Sequence, residues 1–191
     1  YKKTRKLILV EKDKTFIPIL KTKFPQAKII NNDILKTKIP EVTKIVSNLP
    51  YNICEPLFWK LSRTNLKTAV FTIPSTFANI LQNNLTSLGL LTETLFNLKV
   101  IELIDRSDFD PVPGTDSCIV KITKKETKSK LNQILIQSDK KVKNILINIL
   151  TKKGLTKTEA KTKIMFLQKQ ILNNKLQNLN YDQIKKIENI I

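Results

Sequence analysis

Apolar and polar positions follow two regimes along the chain. Lys6 to Glu11 reads K-L-I-L-V-E, a short apolar run closed by an acid, which suits a strand buried on both faces. Phe16, Ile17, Ile19, Leu20 and Phe24 then recur at helical spacing over Thr15 to Phe24. Lys28 to Asn31 reads as a second strand, followed by Asn32-Asp33, and Val42 to Ser47 as a third. Glu55 to Leu61 predicts a helix, and Lys67 to Ile73 a fourth strand. Pro74-Ser75-Thr76 is a helix start leading into Phe77, Ile80 and Leu81. Leu95 to Ile104 and Cys118 to Ile122 read as two late strands. Strands alternating with helices predict an α/β protein with a doubly wound, parallel sheet.

The regime changes after Lys125. Leu131, Ile134, Leu135, Val142, Ile145, Leu146, Ile149 and Leu150 recur at helical spacing, as do Ile164, Leu167, Ile171, Leu172 and Leu176, and then Ile184, Ile187 and Ile190. Gly154 separates the first two of these runs. The reading is a small all-helical appendage. Thr123 to Lys130 is charged and free of glycine, so the expected division is residues 1–125 and residues 126–191.

Composition narrows the chemistry. The chain of 191 residues holds no His, 2 Cys and 3 Gly, the first of them Gly89. That excludes a His-dependent triad, a His metal site and a four-Cys zinc site. It also excludes a Gly-rich phosphate cradle anywhere before Gly89. No apolar run approaches the roughly 20 residues of a membrane span. No signal peptide is visible, and no membrane or metal partner is expected. The chain opens on Tyr1 and a charged run, and reads as the remnant of a longer protein whose N-terminal sequence is missing.

The formal net charge is +18. Residues 1–120 carry 17 basic and 11 acidic side chains, whereas residues 121–191 carry 17 and 5, so the shorter piece holds most of the excess. Lys and Arg that neutralise phosphates release counterions, which points to a nucleic-acid partner. An AT-rich coding bias accounts for Lys over Arg, but not for the scarcity of acids.

Ligands of doubly wound sheets sit at the C-terminal ends of strands. Polar residues stand there at Glu11, Asp33, Asn48 and Asp105–Asp110. Glu11 could accept both hydroxyls of a ribose, or simply be a solvated acid opening a loop. Asp33 could accept from the exocyclic amine of a base, or cap a helix. Ser47-Asn48-Leu49-Pro50-Tyr51-Asn52-Ile53 is the most telling segment. Pro50 fixes its φ and has no N–H, so the backbone turns there with carbonyls free to accept. An Asn side-chain oxygen and a nearby carbonyl can together hold an amino group, and Tyr51 offers a flat face to a base. Otherwise the string is a turn with a core Tyr. Phe109-Asp110-Pro111-Val112-Pro113-Gly114-Thr115-Asp116-Ser117 is a rigid loop headed by an aromatic, a second stacking face or a Pro-stiffened connection.

Taken together, the two segments resemble the rRNA adenine N6-dimethyltransferases, the superfamily of KsgA and the erythromycin-resistance methylases. That family's Asn-Leu-Pro-Tyr-Asn-Ile string is matched without a break at Asn48 to Ile53. Its Phe-x-Pro-x-Pro-x-Val-x-Ser string is matched at Phe109, Pro111, Pro113 and Ser117, with Thr115 where Val is usual. Glu11 and Asp33 match its two strand-end acids, and Lys140-Lys141-Val142-Lys143 looks like the basic helix start of its C-terminal domain.

The resemblance implies a Rossmann-like methyltransferase sheet, its N-terminal part missing, followed by a helical RNA-contacting domain. It implies S-adenosyl-L-methionine as cofactor, held by Glu11, Asp33, Ile34 and Asn48. Catalysis would fall to Asn48, Leu49, Pro50, Tyr51 and Phe109. Asn48 and the carbonyl of Leu49 or Pro50 would take the two N6 protons while Tyr51 and Phe109 stack on the base. RNA contact is expected from Lys140, Lys141 and Lys143, and from Lys124, Lys125, Lys128 and Lys130 in the linker. The implied partner is ribosomal RNA in a small-subunit precursor, met by a monomer in the cytoplasm, or in an organelle if a missing N-terminus carried a targeting segment.

The sequence also departs from the family. The Gly-rich motif after the first strand has no counterpart and is expected ahead of Tyr1. Leu88-Gly89-Leu90-Leu91-Thr92 stands where Tyr-Gly-Arg-Leu-Ser is usual, and Ile73-Pro74-Ser75-Thr76 replaces a charged stretch. A catalytically inactive RNA-binding or ribosome-assembly factor on the same fold is therefore the alternative, and a DNA-directed relative a third.

Overall fold

A computed structural model of the chain describes residues 6–126 and 129–191. The chain divides into two compact units between Val42 and Thr43.

In the first unit, strand β1 (Ile8–Glu11) and strand β2 (Lys28–Asn31) pair in parallel, Ile8 opposite Lys28 and Glu11 opposite Asn31. Helix α1 (Ile17–Lys23) makes the crossover. Its entry is set by Asp13, whose carboxylate accepts the Thr15 amide and caps a 3-10 turn, and by a Pro in the first turn. Lys21 and Lys23 close it against the negative end of the helix dipole. The β1 residues are half-buried rather than fully buried. A two-stranded sheet covered by one short helix has too little apolar surface to enclose both faces.

In the second unit, β3 (Lys44–Asn48) and β4 (Thr68–Pro74) are parallel, with Asn48 opposite Thr72 and helix α2 (Cys54–Leu61) between them. Helix α3 (Ser75–Gln82) follows directly, then α4 (Ser87–Leu95), β5 (Phe96–Ile104) and β6 (Ser117–Lys124). The sheet order is β3-β4-β6-β5, and β6 runs antiparallel to both neighbours. The wholly parallel sheet expected from the sequence is thus corrected. Antiparallel neighbours need only a loop, whereas parallel ones need a crossover, and Asp105–Asp116 contains no helix long enough to make one.

The core is built from Phe58 on α2, Phe71 on β4 and Phe77 on α3. Phe58 packs edge-on against Phe77 at 5.4 Å and tilted against Phe71 at 5.8 Å. Trp59, the chain's single tryptophan, is buried on α2, and its indole N–H has no hydrogen-bond partner among the described residues.

The C-terminal region holds α5 (Lys130–Leu135), α6 (Val142–Lys152), α7 (Lys157–Ile164), α8 (Lys169–Asn173) and α9 (Tyr181–Glu188). Where periodicity suggested three helical runs, the structure breaks them into five. Ser138 to Lys141 separates α5 from α6, and the turn after Ile164 separates α7 from α8. Capping boxes at Thr156/Glu159 and Asn180/Gln183 start α7 and α9. Gly154, at φ 98°, stands just past α6. Helices α5 and α9 pack on α4, so this helical region belongs to the same compact unit as the four-stranded sheet.

Candidate active site

The Asn48 turn owes its shape to where β3 ends. Leu49 is buried, and its N–H still donates to the Thr72 carbonyl at 3.1 Å, so the ladder holds the chain one residue past Asn48. Pro50, extended at φ −56° and ψ 131°, then turns the chain into a 3-10 turn at Tyr51–Ile53. The Pro50 carbonyl is occupied: Ile53 N–H donates to it at 3.1 Å and the Cys54 thiol lies 3.6 Å away. Burial pushes that thiol up to about 11, so it stays protonated. Of the two carbonyls considered from sequence, the Leu49 oxygen is the one bonded to no described residue. The Asn48 carboxamide is exposed beside it.

Tyr51 is half in solvent, with its hydroxyl 2.7 Å from Ser117 Oγ. Ser117 is wholly buried at the start of β6, opposite Pro74 of β4. The preceding Asp116 accepts Ser75 N–H on its backbone carbonyl at 2.9 Å and Arg106 N–H on its carboxylate at 3.2 Å. Asp105 caps the 3-10 turn Arg106–Asp108 through the Ser107 amide. These bonds brace the loop that carries Phe109. The loop continues through a cis Asp110–Pro111 peptide.

The result is a cavity of about 300 Å³ lined by Asn48, Leu49, Pro50, Tyr51, Phe109, Pro111 and Pro113. That volume is at the small end of ligand sites. All five residues expected from sequence to be catalytic line it. The lining holds no carboxylate, amine or imidazole, and its one phenol, Tyr51, is bonded to Ser117, so its means are orientation and stacking rather than proton transfer. Two rings and a paired amide and carbonyl acceptor suit a flat heterocycle bearing an –NH2 group. Ser117 went unread as a functional residue; its partner is 66 positions away, and only the β4–β6 ladder brings the two together.

Glu11, Asp33 and Ile34 belong to the first unit. Glu11 ends β1, and one of its carboxylate oxygens accepts Asp13 N–H at 2.7 Å. The Asn31 carboxamide donates to the Glu11 and Lys12 carbonyls at 2.9 and 3.1 Å and fixes this strand end. Asp33 lies just past β2, where its carboxylate accepts the Leu35 amide at 2.9 Å and stands 3.7 Å from Lys12 Nζ. The Leu35 amide above all, and Lys12 and Lys36 besides, hold Asp33 below the usual carboxylate range. Half-buried Ile34 follows. Two carboxylates at the ends of adjacent parallel strands, with an aliphatic side chain next in sequence, could accept from a ribose diol and an adenine amine and pack on its ring.

The expected RNA-contacting lysines fall into two groups. Lys140, Lys141 and Lys143 are exposed around the start of α6. Lys124 is different: its ammonium donates to the carbonyls of Ser62 and Thr64 at the end of α2, and burial lowers its pKa. Lys125 Nζ donates to the Glu93 carbonyl at 2.5 Å. Both were expected to face RNA; in the structure their ammonium groups bond backbone carbonyls at the ends of α2 and α4. Lys130 is exposed at the start of α5, and Lys128 lies outside the described residues.

A family model described as ribosomal RNA adenine dimethylase matches residues 1–191. The chain belongs to this family. Among similar dimethylase relatives, the probable ribosomal RNA small subunit methyltransferase A of Pyrococcus furiosus is 30% identical over 210 residues, spanning 100% of this chain and 75% of the relative. The protein of the same description from Pyrococcus abyssi is 31% identical over 144 residues. That match covers 72% of this chain and 54% of the relative, so it spans about half of that relative's length. A dimethyladenosine transferase crystal structure from Plasmodium falciparum superposes with a TM-score of 0.61 at 20% identity, over 96% of this chain and 80% of that one. The dimethylase chain therefore has the Rossmann-like methyltransferase fold expected of it. Among the described residues no cluster of three or more His, Cys, Asp or Glu could hold a metal, and no helix is long and apolar enough to cross a membrane.

Proposed function

We propose that the protein methylates adenine at N6 in small-subunit ribosomal RNA, adding two methyl groups from S-adenosyl-L-methionine during ribosome biogenesis. The observation that carries this reading is the cavity lined by Asn48, Leu49, Pro50, Tyr51 and Phe109, which offers an amide and a carbonyl acceptor and two aromatic rings. Base-modifying enzymes take the target out of its stack. Tyr51 and Phe109 would hold the extruded adenine by its faces. Asn48 and Leu49 would accept the two N6 hydrogens and so fix the direction of the nitrogen lone pair. The cofactor, when bound, supplies an electrophilic methyl group on a sulfonium. Glu11 would hold its ribose hydroxyls, Asp33 its adenine amine and Ile34 a ring face.

In this reading residues 1–125 are the methyltransferase-like part and residues 126–191 the RNA-contacting part, working as a monomer in the cytoplasm. Lys140, Lys141 and Lys143 would meet phosphates, whereas Lys124 and Lys125 remain with their carbonyls. The departures from the family at Leu88–Thr92 and Ile73–Thr76 favour one second reading, an RNA-binding assembly factor that does not methylate.

The full-length gene product, immature small subunits and labelled S-adenosylmethionine test both. Asn48→Ala is expected to lower kcat by about 10²-fold, the order seen when one preorganised hydrogen-bonding group is removed, with RNA affinity within twofold of wild type. Normal methylation by Asn48→Ala overturns the site assignment. Tight RNA binding without crosslinking to the labelled cofactor supports the assembly factor instead.

A further inference from the structure

The turn after α7 breaks the usual rule of burial. Ile164 and Leu167 point into the core, at 2% and 7% exposure. Between them Met165 and Phe166 stand 73% and 70% exposed. The backbone there is ordered: Met165 N–H donates to Thr162 O at 3.2 Å, and Leu167 N–H donates to Ile164 O at 3.1 Å. A thioether and a phenyl ring are therefore displayed side by side on a fixed turn.

The surroundings are basic. Residues 152–169 carry Lys152, Lys153, Lys157, Lys161, Lys163 and Lys169 against one acid, Glu159. The Glu159 carboxylate is tied up by the amide and hydroxyl of Thr156 at 2.7 and 2.8 Å. Lys153 reaches the Ile191 carbonyl at 2.6 Å, and the other five lysines form no ion pair among the described residues. Lys161 lies one helical turn before Met165, on the same face. The helix dipole accounts for Lys161 and Lys163 in the last turn of α7. It does not account for an exposed ring beside them.

We propose that Met165 and Phe166 form a second stacking contact, outside the Asn48 cavity, for an unpaired base of an RNA strand whose phosphates run along these lysines. The proposal rests on the RNA-binding half of the function given above, and it holds whether or not the protein methylates. Basic grooves with aromatic platforms are how proteins hold single-stranded nucleic acid, because every base has a π-face. A protein partner is disfavoured by size, since specific interfaces bury about 800 Å² per side around an apolar centre, and here two side chains stand alone. A membrane surface is disfavoured because the other apolar residues of α7, Ala160 and Ile164, face inward.

The test uses the full-length protein and a single-stranded RNA carrying 2-aminopurine. Phe166→Ala is expected to weaken binding about tenfold and to abolish 2-aminopurine quenching. The slope of log K against log salt should not change, because no charge is lost. Phe166→Tyr should restore both signals, and the melting temperature should not move. In methylation assays Phe166→Ala should raise the KM for RNA at constant kcat, which separates it from Asn48→Ala. Binding within twofold with quenching retained overturns the proposal. So does restoration by Phe166→Leu, which would mean apolar contact rather than stacking. Loss of binding to phosphatidylserine vesicles, with RNA binding intact, also overturns it in favour of a membrane surface.

Discussion

Ser117 has no exposure to solvent, and its hydroxyl meets that of Tyr51. Cutting this link leaves the Tyr51 ring in the cavity wall but free to swing. Ser117→Ala is expected to cost about 0.5–1.5 kcal/mol in urea unfolding and to lower kcat/KM for RNA. Tyr51→Phe should do much the same, and the double variant should be no worse than either single one, a non-additivity that a double-mutant cycle reads directly. Asn48 to Tyr51 were legible because they are contiguous, and their chemistry needs only their order along the chain. Ser117 was legible only as a letter in a motif, since its partner is chosen by strand pairing. Lys124 misled for a related reason. Its neighbours in sequence are charged and polar, but its neighbours in space are the open carbonyls past α2, which a helix end leaves without intrahelical donors.

Helix α4 escaped the sequence reading because it has no polar face to reveal a period. Leu88, Gly89, Leu90, Leu91, Thr92 and Leu95 are all buried, so its apolar residues go all the way round. Gly89 also sits where the turn from α3 returns. A Cβ there would come within 1.8 Å of the Asn83 carbonyl oxygen, and the Gly89 amide already donates to the capping Thr86 hydroxyl at 2.9 Å. Gly89→Ala is expected to cost about 1–3 kcal/mol or more by forcing the backbone of that turn to move, measured by thermal or urea unfolding. The β1–α1–β2 and β3–α2–β4 units were plain from their alternating runs. The antiparallel β5–β6 pair was not, because a strand shows its apolar pattern without showing its direction. The helix-free loop between the two strands carried that information.

At the scale of the molecule, the net charge of +18 makes acid the sensitive side. Asp13 is held below its ordinary value of 3.8 chiefly by the Thr15 amide, Asp33 by the Leu35 amide, and Asp105 by the Ser107 hydroxyl. The Thr156 amide holds Glu159 below 4.5. A depressed carboxylate stabilises the fold fully above its unfolded pKa and loses that contribution as pH falls through the folded value. Melting temperature is thus expected to be flat above about pH 5 and to fall below about pH 4. Protonation also adds positive charge, so salt should soften the acid limb by screening self-repulsion. A rise in stability on acidification would contradict the direction of all four shifts. The division between Val42 and Thr43 also separates the chain optically. The sole indole, Trp59, lies in the second unit. Its emission therefore reports directly on the sheet and helices of residues 43–191, while loss of order in residues 6–42 calls for a different probe, such as a fluorophore attached there.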